Sequence, residues 1–160
     1  MFFNIILFFL SLIFTSTYAL ADLTSNVMIS ITVRESSCVV NDGGVMNVSF
    51  GNNLLESKID GSNYLKNIDY KYKCSGSERR AMRMKIHGVE SGFDQRALQT
   101  SKTDLGVVFF AKNEPLAINE WFYFDGFDNI NLQAVPVKKL GAKLDEGYFS
   151  SGSTLIVDYQ

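Results

Sequence analysis

A chain of 160 residues with 15 Lys and Arg against 17 Asp and Glu carries a formal charge of −2, too near neutrality for nucleic acid or an anionic membrane to be a charge-driven partner. Its length is that of one domain, and a hydrophobic share of 46% supplies the matter for one core. Two cysteines and one histidine fall short of a four-ligand metal site, so neither a metal nor a cofactor is expected.

The first twenty-one residues contain no Asp, Glu, Lys or Arg, and residues 2–14 are almost continuously apolar. That run is too short for the roughly 20 residues of a membrane span, and Ala19 and Ala21 form an A-x-A cleavage pattern. Residues 1–21 are therefore read as a signal peptide. Immediately after it, residues 26–34 alternate, with Val27, Ile29, Ile31 and Val33 on one face. A period of two marks a half-buried strand, yet no hairpin partner lies within turn distance before Cys38. The partner of this strand is expected in another molecule.

Cys38 and Cys74 are the only cysteines, and in an exported chain such a pair is predicted to form one disulfide. About 35 residues lie between them, worth roughly 3.5 to 4 kcal/mol in the loop-entropy account. Val39, Val40 and residues 45–50 flank Asn41, Asp42, Gly43 and Gly44, residues that tolerate positive φ, so a hairpin is predicted there. A single strand is predicted over residues 64–74, with Ile68, Tyr70 and Tyr72 on one face. In the next, Met82, Met84 and Ile86 alternate with Arg83, Lys85 and His87, one apolar face and one wet one.

A looser stretch, residues 90–104, precedes a buried strand over 105–111, a turn over 112–115, and strands over 120–124 and 130–137. The final segment, residues 148–160, reads as a strand with Leu155, Val157 and Tyr159 on one face. Many short strands at close spacing point to an all-β sandwich.

Few residues invite chemistry. His87 sits on a wet strand face without a serine or cysteine motif around it, and the adjacent Asp145 and Glu146 point apart, so no enzyme is expected. Glu78, Arg79, Arg80, Arg83 and Lys85 read as a solvated face. Trp121 to Phe124 reads as a strand whose rings pack, with Trp121 and Tyr123 as the alternative sugar-binding pair. Asn47, Val48 and Ser49 fit a glycosylation sequon.

Together, the alternating extension before Cys38, the Cys38 and Cys74 pair, Gly147 fourteenth from the last residue and the penultimate Tyr159 resemble the pilin subunits of chaperone-usher fimbriae, as in type 1 and P pili. The resemblance implies residues 22–37 as an N-terminal donor-strand extension and residues 38–160 as the pilin domain. It implies an incomplete immunoglobulin-like β-sandwich that lacks its last strand and is completed in trans by a donor strand. Val27, Ile29, Ile31 and Val33 would be donated, and Gly147, Leu155, Val157 and Tyr159 would form the acceptor groove and chaperone-binding strand.

The implied partners are a periplasmic pilus chaperone, an outer-membrane usher and neighbouring pilin subunits, with no small-molecule substrate. The implied location is the cell-surface fimbrium of a Gram-negative bacterium, reached through the periplasm. At one position the chain departs from the pattern: Ile31, seven residues before Cys38, stands where many members have glycine. That departure points to a specialised minor or adaptor subunit with narrowed partner choice. The rival reading is a secreted carbohydrate-binding β-sandwich using Trp121 and Tyr123.

Overall fold

The structure, a computed structural model, describes residues 38–75 and 81–160. The signal peptide, the extension with Val27, Ile29, Ile31 and Val33, and the charged trio Glu78, Arg79 and Arg80 lie outside the described residues.

The described residues are all-β apart from two short 3-10 turns, Asn41–Gly43 and Glu56–Lys58. The strands are β1 (Cys38–Val40), β2 (Lys66–Ile68), β3 (Tyr72–Cys74), β4 (Ala81–His87), β5 (Leu98–Gln99), β6 (Leu105–Ala111), β7 (Glu114–Leu116), β8 (Phe122–Asp125), β9 (Leu132–Lys138) and β10 (Thr154–Tyr159). One sheet runs β10-β4-β8, a second runs β2-β9-β6-β5 with β7 also on β6, and β1 pairs with β3 alone. Every pairing is antiparallel.

Period-two alternation builds the core between the two larger sheets. Met82, Met84 and Ile86 of β4, Phe124 of β8, and Leu155 and Val157 of β10 meet Val107, Phe109 and Ala111 of β6 and Leu132 and Ala134 of β9 in one buried cluster. Met82 and Met84 are fully buried. The wet-face residues of β4 fall outward, as alternation requires, and His87 is exposed with its Nδ1 against Asn119 Oδ1 at 2.9 Å.

Four expectations need correction. The hairpin predicted around Asn41 to Gly44 does not form: β1 pairs with β3, and residues 45–50 join no ladder among the described residues, although Asn41 (φ 47), Asp42 (φ 52) and Gly43 (φ 82) do reverse the chain locally. The partner that β1 does take is distant in sequence. Cys38 lies opposite Cys74 in the β1–β3 register. Asn41 N–H donates to Lys71 O at 2.8 Å, and Lys71 N–H donates to Asn41 Oδ1 at 2.7 Å.

Residues 64–74 are likewise two strands, β2 on β9 and β3 on β1. The side-chain alternation of Ile68, Tyr70 and Tyr72 continues across the corner, so the period does not reveal that the backbone changes partner. The turn predicted over 112–115 shrinks to Lys112 (φ 52) and Asn113 (φ 65), the double positive φ of a two-residue hairpin loop. Pro115 then belongs to β7, which pairs only with β6, and an edge strand tolerates a missing N–H.

Finally, the last strand begins at Thr154 and not at Tyr148. The preceding residues are held by the other sheet's neighbourhood: Ser101 N–H donates to Ser150 O at 2.8 Å, and Ser151 Oγ donates to Gln99 O at 2.6 Å. Tyr148 is 96% exposed as a result.

Candidate functional site

β10 is hydrogen-bonded along one edge only. Its register with β4 runs from Thr154 opposite His87 to Tyr159 opposite Met82, and among the described residues no strand pairs with its other edge. Gln160 N–H donates to Ala81 O at 2.9 Å, which sets the phase of the ladder. In an antiparallel pair, residues alternate between facing the partner and facing away, so Asp158, Ile156 and Thr154 turn their backbone groups to β4. Leu155, Val157 and Tyr159 therefore point side chains into the core and backbone N–H and C=O groups toward the open edge.

The chain that runs beside this edge is itself unpaired. Residues 44–50 join no ladder among the described residues, although Met46 and Phe50 pack against the core while Val45 is 87% exposed. Its two ends are pinned next to β10. At one end β1 packs beside β10, and Tyr159 Oη donates to Ser75 O at 3.4 Å. At the other end, the rings of Phe50 and Phe149 stack at 6.1 Å between centroids. Residues 38–50 and 149–159 thus run antiparallel, with no ladder joining them between the pins.

The disulfide fixes the closed end. Cys38 and Cys74 are bonded, with S–S 2.03 Å and Cα–Cα 4.0 Å. Gly147 has φ 107 with open space around its Cβ position, so its place is a turn that only glycine enters without strain. It lies seven residues before β10 begins. The other three residues expected on this wall, Leu155, Val157 and Tyr159, are brought together on β10, the first two at 8% and 4% exposure.

Three contributors escaped the sequence reading: Met46, Phe50 and Phe149. Met46 and Phe50 share a parity within residues 45–50, which is the signal that places both on the inner face. Arg83, on the face expected to be solvated, donates through Nη2 to Asp158 Oδ2 at 2.9 Å. Its guanidinium also lies 4.3 Å from the centre of the Trp121 ring.

Among the described residues β10 has one open edge and residues 44–50 join no ladder, and unpaired edge groups are normally covered. The family model for fimbrial proteins matches residues 25–160. The chain belongs to the fimbrial protein family.

This fimbrial subunit is 36% identical over 118 residues to the fimbrial-like protein YfcR of Escherichia coli (strain K12), covering 71% of this chain and 69% of that one. It is 27% identical over 161 residues to the putative minor fimbrial subunit PmfE of Proteus mirabilis (strain HI4320), covering 89% of this chain and 45% of the relative. Among solved structures it resembles the P pilus adaptor subunit PapF with a TM-score of 0.55 and 22% identity, covering 78% of this chain and 96% of that one. That last likeness establishes the fold. The fold class is all-β, and the protein is a structural fimbrial subunit that takes its place among other pilin subunits.

Proposed function

We propose that this fimbrial subunit joins its fibre by strand addition at the open edge of β10, as an incomplete sandwich whose missing strand is donated by a neighbour. The observation that carries this reading is the six-residue β10 with Leu155, Val157 and Tyr159 turning their backbone groups away from β4, toward an edge on which no strand pairs among the described residues. Strand addition satisfies such groups while alternate side chains enter the core. Six residues of strand span roughly 20 Å, the reach of an extended segment from Val27 to Val33.

In this reading residues 1–21 direct export and residues 22–37 are the extension given to the next subunit. Residues 38–160 are the pilin domain. Until a neighbour arrives, a periplasmic chaperone covers the β10 edge, and an outer-membrane usher is where one strand replaces the other. Burying Val27, Ile29, Ile31 and Val33 at about 1.5 to 3 kcal/mol each gives a gross gain on the order of 6 to 12 kcal/mol before association and ordering costs. The activity is noncovalent polymerisation, without chemistry on a small molecule.

The minor or adaptor role is supported by Ile31, a bulky donor side chain that only a groove with matching depth accepts, and by the likeness to a relative described as a minor subunit. The test is periplasmic expression of the full chain with and without the chaperone of its own operon, followed by size exclusion. Recovery only as a one-to-one complex is the expected result. A stable, monodisperse monomer produced alone would overturn the reading.

A further inference from the structure

Tyr159 N–H belongs to the open edge by the phase of the ladder, yet it is not bare: it donates to Asp158 Oδ1 at 2.8 Å. The other oxygen of the same carboxylate, Oδ2, accepts from Arg83 Nη2 at 2.9 Å. Arg83 is positioned in turn by the Trp121 ring, against which Lys85 also rests at 4.5 Å. The four groups form a connected line across the three-stranded sheet, from Trp121 beside β8, through Arg83 on β4, to Asp158 and the backbone of β10.

From this geometry we infer that Asp158 is a latch on the β10 edge. It occupies the N–H that an incoming strand needs, so it slows strand addition at the Tyr159 end. The inference rests on the strand-addition reading above and adds a rate-setting residue to it. An edge N–H is a template for pairing, and a carboxylate accepting from it makes a charge-assisted bond stronger than the neutral carbonyl bond that would replace it. A donor must displace the carboxylate before its own carbonyl reaches Tyr159 N–H.

The latch is built to open. Arg83 grips Asp158 through Nη2 alone, its buried Nε having no hydrogen-bond partner, and a one-pronged pair lacks the rigidity of a bidentate one. Both side chains are about a third exposed, so water can take over their charges as the donor enters. The latch therefore sets how fast the edge is used, and a partner that holds Asp158 aside speeds the exchange.

The test refolds the full chain from urea with no chaperone present, so that Asp158 and not a chaperone strand is what the donor meets at the β10 edge. A fluorescent synthetic peptide of the N-terminal extension of the neighbouring subunit from the same operon serves as donor, its uptake followed by anisotropy. Asp158→Ala is expected to take up the peptide about tenfold faster than wild type, the factor that a 1.4 kcal/mol change in a barrier produces. Arg83→Met is expected to move in the same direction by a smaller factor. A purely structural role for the pair would lower the melting temperature without accelerating uptake. Wild-type uptake with unchanged rates in both variants would overturn the latch and leave strand addition standing. No uptake by wild type or either variant would overturn strand addition, and the latch with it.

Discussion

The rings of Phe50 and Phe149 stack with an interplanar angle of 19°, joining the end of the unpaired run 44–50 to the stretch that leads into β10. Ring pairs of this kind contribute about 0.5 to 1.5 kcal/mol beyond their burial. In a double-mutant cycle by urea denaturation, Phe50→Ala and Phe149→Ala are each expected to destabilise. The double variant should lose about 1 kcal/mol less than the sum of the two. Strict additivity would show that the rings do not hold this end of the gap.

The disulfide closes the opposite end. Its cysteines are 36 apart in sequence, and in the loop-entropy account such a link is worth roughly 3.5 to 4 kcal/mol. Replacing both Cys38 and Cys74 by serine is expected to lower the unfolding free energy by about that amount, read from the urea midpoint. Reductant should then have no further effect on the variant. Loss of less than about 1 kcal/mol would contradict the account.

How much of this was legible in the residues divides along a physical line. Alternation in β4, β6, β9 and β10 is written in side chains that face one core, so Met82, Met84, Ile86, Leu155 and Val157 were placed correctly from their spacing alone. Which strand pairs with which is not written there. Residues 64–74 keep one continuous period while the backbone passes from β9 to β1. Residues 45–50 look like half of a hairpin because nothing local records that Cys74 and Lys71 have taken the neighbouring places. Partner choice is a long-range property of the fold, and two of the four corrections are failures of partnering, not of element type. The stretch beside β10 has the same blind spot: Phe50 and Phe149, whose rings stack, lie on segments that no local pattern connects.

The Lys112–Asn113 loop offers a test of turn chemistry. Both residues have positive φ, a region that costs most L-residues roughly 1 to 2 kcal/mol. Asn113→Gly is expected to keep or slightly raise the melting temperature, since glycine enters this region freely. Asn113→Val should lower stability by about 1 to 2 kcal/mol, because its branched Cβ is least suited to φ 65. Equal melting temperatures for the two variants would contradict the two-residue loop.

Tyr70 carries the clearest titration. Its hydroxyl donates to Ile130 O at 3.0 Å, and burial pushes its pKa up to about 12, with Tyr72 adding to the rise. The ordinary value is near 10. Between those two values the unfolded chain has released the proton and the folded chain still holds it, so stability falls as pH rises through that window. Tyr70→Phe is expected to abolish this component of the alkaline decline, while costing about 1 kcal/mol at neutral pH for the lost hydrogen bond. An unchanged decline between pH 10 and 12, measured by urea denaturation, would assign the effect to another group.

Neighbouring residues on β10 separate core from surface in the strand on which the proposed function depends. Leu155 points inward opposite Ile86, whereas Ile156 points outward opposite Lys85. Leu155→Ala leaves a cavity in the shared core and is expected to cost about 2 to 4 kcal/mol. Ile156→Ala removes only partly exposed surface and should cost less than about 1 kcal/mol. Neither change touches the backbone groups of the open edge, so both variants, once folded, should still accept a donor peptide. Leu155→Ala should hold it more weakly, because the donor's side chains would pack against a hollow. If Ile156→Ala instead proved the more damaging change to both stability and peptide retention, the outward face of the sheet, and not the core beside the open edge, would be the surface on which strand addition depends.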